Sequence, residues 1–467
     1  MPTGTDISTG MTTTETETSP DRRFVGTPPK NVFIVNDAFD AGIALNWVET
    51  NVVHSEGRIL LYGYRIDVFT SIQAFMTIGV PGSRIDLVLP PLGCEVGAFN
   101  DPDITKAIMS ALTSADVTVY SDYVLAQWND GVNLEEVTTV SFTSAHKPIS
   151  LECQAFFGFY KKQVDYDAFK AINDACLVFD GRLVLDANFH TNDVSIRGAG
   201  PLTKFQRIYH SDQWSHANFN CKEVGIQLAN ALLTLFDPTL EPESPPPRDL
   251  LKLIPMYRSP KICGCFLPGE YHYLFVGKPK LNTPLEALRT QSDFGVEMVT
   301  GSIYGDPGYF RLHLNQYKSV EDITCLSKKP FPTSNLVCLY NMHERFLNNL
   351  IYRFKVNLIS DFYKFFQDKG LMAVYHDRYP DFREEVRELL VTRPEPNRES
   401  LEEKIRQMFE EDITHRRVCR QLNESQLQYL KEEFVQSGAK RAIETRLLSF
   451  LSYNTYHLPM YAKPGMV

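Results

Sequence analysis

GRILLYGYRIDVFTSIQAF, residues 57–75, decides the fold class. Residues 58–62 form a run of buried-strand character, and Gly63 supplies a tight turn after it. Ile66, Phe69, Ile72 and Phe75 then recur at helical spacing. Gly79-Val80-Pro81-Gly82 ends that helix, and residues 84–89 give a second apolar strand. A strand–helix–strand unit of this length is what a parallel sheet needs, so the expectation is an α/β fold.

The turn has the outline of a dinucleotide-binding turn without its glycines. In G-x-G-x-x-G the first glycine makes the turn, the second admits the pyrophosphate, and the third lets helix and strand approach. Those slots hold Gly63, Arg65 and Val68. Arg65 places a side chain where backbone must meet phosphate, and Val68 places a β-branched one where none fits. The second strand should close on an acidic residue for the ribose hydroxyls, yet it closes on Leu89-Pro90-Pro91. The sequence therefore predicts a degenerate Rossmann-like unit that keeps the fold and loses the grip. Arg65 reads as a surface or interface residue; its alternative role is a salt bridge to phosphate.

The chain has 467 residues, 43% hydrophobic and 22% charged, ordinary for a globular protein of several domains. Its formal net charge of −10 argues against a general nucleic-acid binder. No run approaches the ~18 apolar residues of a membrane span. The start, MPTGTDISTGMTTTETETSPD, is polar and Thr-rich, with the character of disorder rather than of a signal or transit peptide. The nine cysteines are scattered and odd in number, which reads as reduced packing residues in a cytosolic compartment.

Outward from the opening unit, NVFIV (31–35) reads as a strand and 38–53 as an amphipathic helix. A helix over 101–114 precedes strands at 117–121, 123–128, 137–142 and 149–160. A short helix (166–175), a hairpin around Asp180-Gly181 with a type I′ turn, and a helix over 222–236 follow. LEPESPPPRD (240–249) is a proline-rich linker. Beyond it KICGCF, YHYLFVG, VEMVTG and YFRLHL read as short strands, and helices are expected at 335–367, 383–391, 399–411 and 424–451. The expected domains are a polar start (1–29), a degenerate NAD-binding-like domain (30–160), half of an FAD-binding-like domain (161–239), the linker, a β-rich domain (250–334) and a helical tail (335–467).

The most specific stretch is GRLVLDANFHTNDVSIRGAGP, residues 181–201. A glycine, a short strand ending in Asp, then T-x-x-x-x-I-x-x-x-G resembles the motif that closes the flavin-binding domain of two-dinucleotide-fold disulfide oxidoreductases. Thr191, Ile196 and Gly200 match. In that family an Asp follows the final glycine and accepts a hydrogen bond from the flavin ribityl chain. Here the slot is Pro201, and Arg197 and Gly198 stand where an aromatic and an Ala are usual. The resemblance covers about residues 30–238 and implies a body of that fold.

QWNDG (127–131), VDYDAFKAINDACLVFDGRLVLDANFHTND (164–193), LFDPTLEP (235–242), LPGEYHYL (267–274) and YHLPMYAKPGMV (456–467) resemble a non-enzymatic branch, the cilia- and flagella-associated protein 61 family. That resemblance implies a C-terminal dimerisation-type domain. It also implies a structural role in the calmodulin- and spoke-associated complex at the bases of axonemal radial spokes, in cilia and sperm flagella. The implied partners are other radial-spoke and complex proteins, with calmodulin indirectly and doublet microtubules through the complex. Members are longer, and the first half of the flavin fold is expected before residue 30. A short isoform, a fragment or a divergent form would each account for the polar sequence found there.

Other candidates carry weaker chemistry. His210, Asp212, Trp214 and His216 alternate in YHSDQWSH, but read as loop residues rather than metal ligands. Cys263-x-Cys265 lacks a second pair for zinc, and His343-Glu344 lacks the second histidine of a zincin. Residues 404–422 have the basic and apolar spacing of a calmodulin target, interrupted by Glu410, Glu411 and Asp412, and read as a solvated flank. Leu427, Leu430, Phe434 and Ile443 form a stripe open to core or docking roles. Asn423 heads a formal glycosylation sequon that a cytosolic chain never uses. The expectation is a scaffold without catalytic residues, metal or cofactor, its slots Gly63, Arg65, Val68, Leu89, Gly200 and Pro201 degenerate. The alternative is an FAD/NAD(P)-dependent oxidoreductase completed by a missing segment or partner.

Overall fold

The computed structural model describes residues 29–452 except 93–96, 132–134, 146, 161–163, 165, 212–213, 238, 240–253, 281–282, 368–370, 372–373, 377, 395–397 and 415–421. The polar start over 1–28, the linker at 240–249, Asp212 and the 456–467 stretch lie outside the described residues.

The first elements are β1 (Val32–Phe33), α1 (Ala38–Asn51), β2 (Ile59–Tyr62), α2 (Ile66–Thr77), β3 (Ile85–Leu89), α3 (Pro102–Ser114) and β4 (Thr118–Ser121). There follow β5 (Val124–Trp128), β6 (Thr139–Thr143), β7 (Ile149–Glu152) and β8 (Ala155–Gly158). β1, β8, β2, β3 and β4 lie in that order in one parallel sheet. Strands buried on both faces read as unbroken apolar runs, and the two faces of β2 separate by alternation. Ile59 and Leu61 pack with Val48, Ile72, Phe75 and Ile108 of the helices. Leu60 and Tyr62 pack with Trp128, Val140 and Phe142 of the antiparallel meander β5–β6–β7.

Two expectations are corrected here. Residues 149–160 are two strands, not one: Cys153 N–H still donates to Thr138 O in the meander (2.9 Å), while Gln154 N–H donates to Arg58 O in the parallel sheet (2.8 Å). Both halves are apolar because each has its own core, and no Gly or Pro marks the switch. The NVFIV strand shortens to Val32–Phe33.

Next come α4 (Tyr166–Asp174), β9 (Leu183–Leu185), β10 (Thr203–Phe205) and α5 (Cys221–Phe236). The hairpin expected at Asp180-Gly181 is absent: Phe179 and Leu183 make a single antiparallel bridge, and β9 pairs parallel with β10. Gly181 takes φ +71° but Asp180 is not left-handed, whereas type I′ requires both.

The C-terminal sheet comprises β11 (Lys261–Leu267), β12 (Tyr271–Gly277), then after α6 (Leu285–Arg289) β13 (Val296–Thr300), β14 (Tyr309–Leu314) and β15 (Val320–Ser327). It is antiparallel, in the order β11, β12, β15, β14, β13. β15, a central strand, is the one that Glu321 and Asp322 hide from a hydropathy reading. The sheet is covered on both sides. Tyr273, Tyr309 and Leu326 join the helix-side core of the parallel sheet, while Phe310 on the opposite face meets Phe362 at 5.3 Å between ring centres.

The helices expected at 335–367 and 424–451 are broken. The first becomes α7 (Thr333–Cys338), α8 (Leu350–Lys355) and α9 (Phe362–Phe365), interrupted by left-handed Asn341, Asn348, Asn349 and Asn357. Asparagine is among the few L-residues that tolerate that conformation. α10 (Tyr379–Val391) and α11 (Leu401–Thr414) precede α12 (Glu424–Gln436) and α13 (Ala439–Ser452), which are split at Gly438, φ +77°. The chain forms two compact units, one ending at Phe362 and one beginning at Tyr363. Within the second, Phe382 of α10 stacks on Phe450 of α13 at 5.0 Å. Glu433 there pairs with Arg398 and, at 2.9 Å, with Lys404. No helix among the described residues is long and apolar enough to cross a membrane.

Candidate functional site

The turn between β2 and α2 sits at the carboxyl edge of the parallel sheet, where open α/β sheets bind ligands. Gly63 adopts φ +141°, and a Cβ there would lie 2.5 Å from the Phe159 carbonyl carbon and 2.6 Å from its oxygen. Phe159 N–H donates to Tyr62 O at 2.7 Å, and Gly63 N–H to Val88 O at 3.1 Å. The close approach that this glycine permits is thus taken by the neighbouring chain after β8. Tyr160 adds its ring beside Tyr62 (5.3 Å) and edge-on to Tyr64 (5.8 Å).

Arg65 caps α2 in extended conformation with no side-chain cap bond, and its side chain is exposed. Val68, one turn in, is fully buried among Ile72 and Phe75. Leu89 ends β3 half-buried, its carbonyl accepting Tyr123 N–H at 3.2 Å. The acidic residue of β3 is Asp86, three positions earlier. It holds Arg58 through two bonds of 2.6 Å, a pair that sequence reasoning missed. Arg65 also has basic company. Arg182 and Lys261 both sit below their ordinary pKa, lowered first by desolvation and then by the Arg65 charge.

At the closing motif, Thr191 is buried and its hydroxyl donates within the loop, 2.8 Å from Asp193 O and 3.1 Å from Ile196 O. Gly200 takes φ +99°, and its N–H donates to His216 Nδ1 at 3.3 Å. The Thr203 hydroxyl lies 2.8 Å from Gly200 O and 2.9 Å from that same Nδ1. His216 packs among Phe189, Phe205 and Tyr257, and burial pushes its pKa down to about 4. It is a neutral core histidine whose one accepting nitrogen is already used. Pro201 is exposed, and Arg197 Nη1 donates to Asn188 O at 3.2 Å.

Sequence reasoning also missed a junction between the two sheets. Asp101 caps α3, with Oδ1 accepting from Asp103 N–H at 3.1 Å. Its Oδ2 accepts from Tyr309 Oη at 2.8 Å and lies 3.4 Å from Arg311 Nε. Arg311, 3% exposed, continues to Glu297 (3.3 Å) and to the Thr324 hydroxyl (2.9 Å). Phe69 of α2, Phe99 and Tyr273 of β12 form an aromatic row, with Phe69 tilted against Phe99 at 5.4 Å and Phe99 edge-on to Tyr273 at 5.3 Å. A Cβ on Gly269, in the β11–β12 turn, would lie 2.9 Å from the Ala111 side chain on α3, so the turn sits close against that helix.

The remaining candidates do not assemble. His210 is a left-handed residue at the end of a 3-10 turn, away from the bonds that His216 makes. Cys263 and Cys265 share one face of the edge strand β11 and hydrogen-bond to each other, which lowers Cys263 and raises Cys265. His343 caps a 3-10 turn, accepting Arg345 N–H at 3.2 Å. Not all cysteines are packing residues: Cys153 and Cys325 are buried, but Cys176, Cys221 and Cys338 are exposed. Leu427 is exposed, so the stripe on α12 is not wholly core.

Residues 255–374 match the CFAP61 dimerisation domain. The chain is 25% identical over 308 residues to cilia- and flagella-associated protein 61 of Tetrahymena thermophila, a match covering 64% of this chain and 17% of that protein's length. Among solved structures it is similar to the covalent putidaredoxin reductase–putidaredoxin complex, at 14% identity and TM-score 0.44, covering 70% of this chain and 69% of that one. It is also similar to the water-forming NADH oxidase from Lactobacillus brevis, at 13% identity and TM-score 0.42, covering 68% and 66%.

Proposed function

We propose, from the premise that this chain carries a CFAP61 dimerisation domain and is related to cilia- and flagella-associated protein 61, that it is a cofactor-free scaffold of the ciliary and flagellar axoneme. Its place in this reading is the calmodulin- and spoke-associated complex at the radial-spoke base. There it supports assembly and motility, including that of sperm flagella, together with other proteins of the complex.

One observation carries the reading. At the turn where a dinucleotide would lie, the space beside Gly63 is taken by the backbone at Phe159, and Val68 is locked into the core. A pyrophosphate needs bare backbone at the second glycine slot, which Arg65 fills with a side chain, and the third slot, which needs close helix–strand packing, holds Val68, so the residues present do not fit the group. The buried Asp101–Arg311–Glu297 chain supports the rigidity that a scaffold requires.

The Arg65, Arg182 and Lys261 cations favour a second reading, in which an anionic nucleotide is retained by an oxidoreductase completed elsewhere. The scaffold reading is tested by tagging the chain in ciliated cells, fractionating axonemes and identifying what co-purifies. Co-purification with radial-spoke-base proteins is expected. A chain found only in the detergent-soluble fraction, with no axonemal companion, overturns it.

A further inference from the structure

His313 of β14 and Asp322 of β15 are direct cross-strand neighbours. Just beyond them the register slips: His313 faces Asp322 while Leu314 faces Val320, so Glu321 is the extra residue of a β-bulge. A bulge re-aims a side chain, and here it turns two consecutive acids toward one imidazole. His313 Nδ1 lies 3.5 Å from Glu321 Oε2 and 3.5 Å from Asp322 Oδ2. One ligand atom from each of the three residues falls within 4.8 Å of the others.

The opposite ring nitrogen, Nε2, hydrogen-bonds the Phe294 carbonyl, so it must carry a proton. In a neutral ring, Nδ1 is then a bare lone pair aimed at two carboxylates, an arrangement that repels unless a cation stands among them. His313 is 2% and Asp322 5% exposed, and both His313 Nδ1 and Asp322 Oδ1 lack a hydrogen-bond partner. A histidine that binds metal through one nitrogen commonly donates the other to a backbone carbonyl. The 3.5 Å separations are close to the roughly 3.3 Å between ligands of a tetrahedral ion with bonds of about 2.0–2.1 Å. Gly277, opposite Asp322 on β12, leaves the room, since a Cβ there would collide with Asp322 Oδ1.

We propose that His313, Glu321 and Asp322 form a binding site for a first-row divalent cation of the zinc class. Lys280, with Nζ 2.5 Å from Asp322 Oδ2, supplies positive charge in the ion's stead. Its side chain is 28% exposed, so it swings to solvent when the ion enters. The ion pins the bulge at the end of the C-terminal sheet.

The test uses the full purified chain, dialysed against chelator, reloaded with zinc chloride, desalted, and assayed for bound metal and melting temperature. One equivalent of zinc and a raised melting temperature are expected, and both are lost in Glu321→Gln and His313→Gln. Lys280→Met removes the competing ammonium and is expected to bind zinc at least tenfold more tightly. Because Lys280 is not a ligand, this variant keeps the site intact if the other two fail to fold. The proposal is overturned if folded Lys280→Met retains no zinc, or if His313→Gln keeps its full equivalent. A proton found on His313 Nδ1 by NMR at saturating zinc overturns it equally, since the cation among the carboxylates is then the imidazolium itself.

Discussion

Replacing Asp101 with alanine removes two things at once. The α3 N-cap goes, which costs about 1 kcal/mol. Arg311, only 3% exposed, also loses one of its two carboxylates but keeps Glu297 at 3.3 Å, so the loss is that of one charged contact, about 1.5–3 kcal/mol. The sum, about 2.5–4 kcal/mol, is a large share of the roughly 5–15 kcal/mol that holds a typical domain together. Asp101→Asn keeps the cap and isolates the ionic part. Urea unfolding followed by tryptophan fluorescence and circular dichroism measures both. Combining Asp101→Ala with Arg311→Met completes a cycle whose coupling is expected at about 1–3 kcal/mol, because the double variant leaves no unpaired charge. If Asp101→Ala costs under ~1 kcal/mol, or the cycle shows no coupling, the buried chain does not join the sheets and the rigid-body reasoning fails.

Gly63→Ala is expected to cost about 2–4 kcal/mol, from a left-handed backbone and a Cβ 2.5 Å from Phe159; the same titration reads it, and a neutral result would mean the chain at Phe159 is not seated there. Arg58→Leu leaves Asp86 buried without its two 2.6 Å partners, and a loss of about 3 kcal/mol is expected in the same assay. His216 is held at about 4 when folded against ~6.5 when unfolded, so the unfolded chain binds the proton more readily. Its contribution is whole above about pH 6.5 and is lost as pH falls toward 4, by roughly 2–3 kcal/mol. Melting temperature against pH should show that slope in the native chain and a flatter one in His216→Phe.

The opening strand–helix–strand unit was legible because β2 and α2 differ in period: four consecutive buried residues, then Phe69, Ile72 and Phe75 at helical spacing. Gly63 follows β2, Arg65 and Val68 open α2, and Leu89 ends β3 for the same reason. Periodicity does not report which sheet a buried strand joins, so residues 149–160 merged two strands that meet different cores. Nor does it report chain reversals carried by asparagine, since Asn348 and Asn349 sit in a sequence otherwise rich in helix formers. β15 was hidden because its two acids are answered only in three dimensions, by His313 and Lys280. The Asp101–Arg311 junction joins residues far apart in the chain, and no local pattern encodes such a pair.

The scaffold reading stands or falls on nucleotide binding at the β2–α2 turn. Equilibrium dialysis of the purified full chain against FAD and against NADPH, with absorbance of the retained protein, measures it directly. Colourless protein with no retained nucleotide at concentrations up to about 100-fold over a micromolar site is the predicted result; that excess would stabilise a true binder by about 2.7 kcal/mol. One equivalent of flavin or nicotinamide nucleotide per chain, lost on Arg65→Ala, would contradict the account.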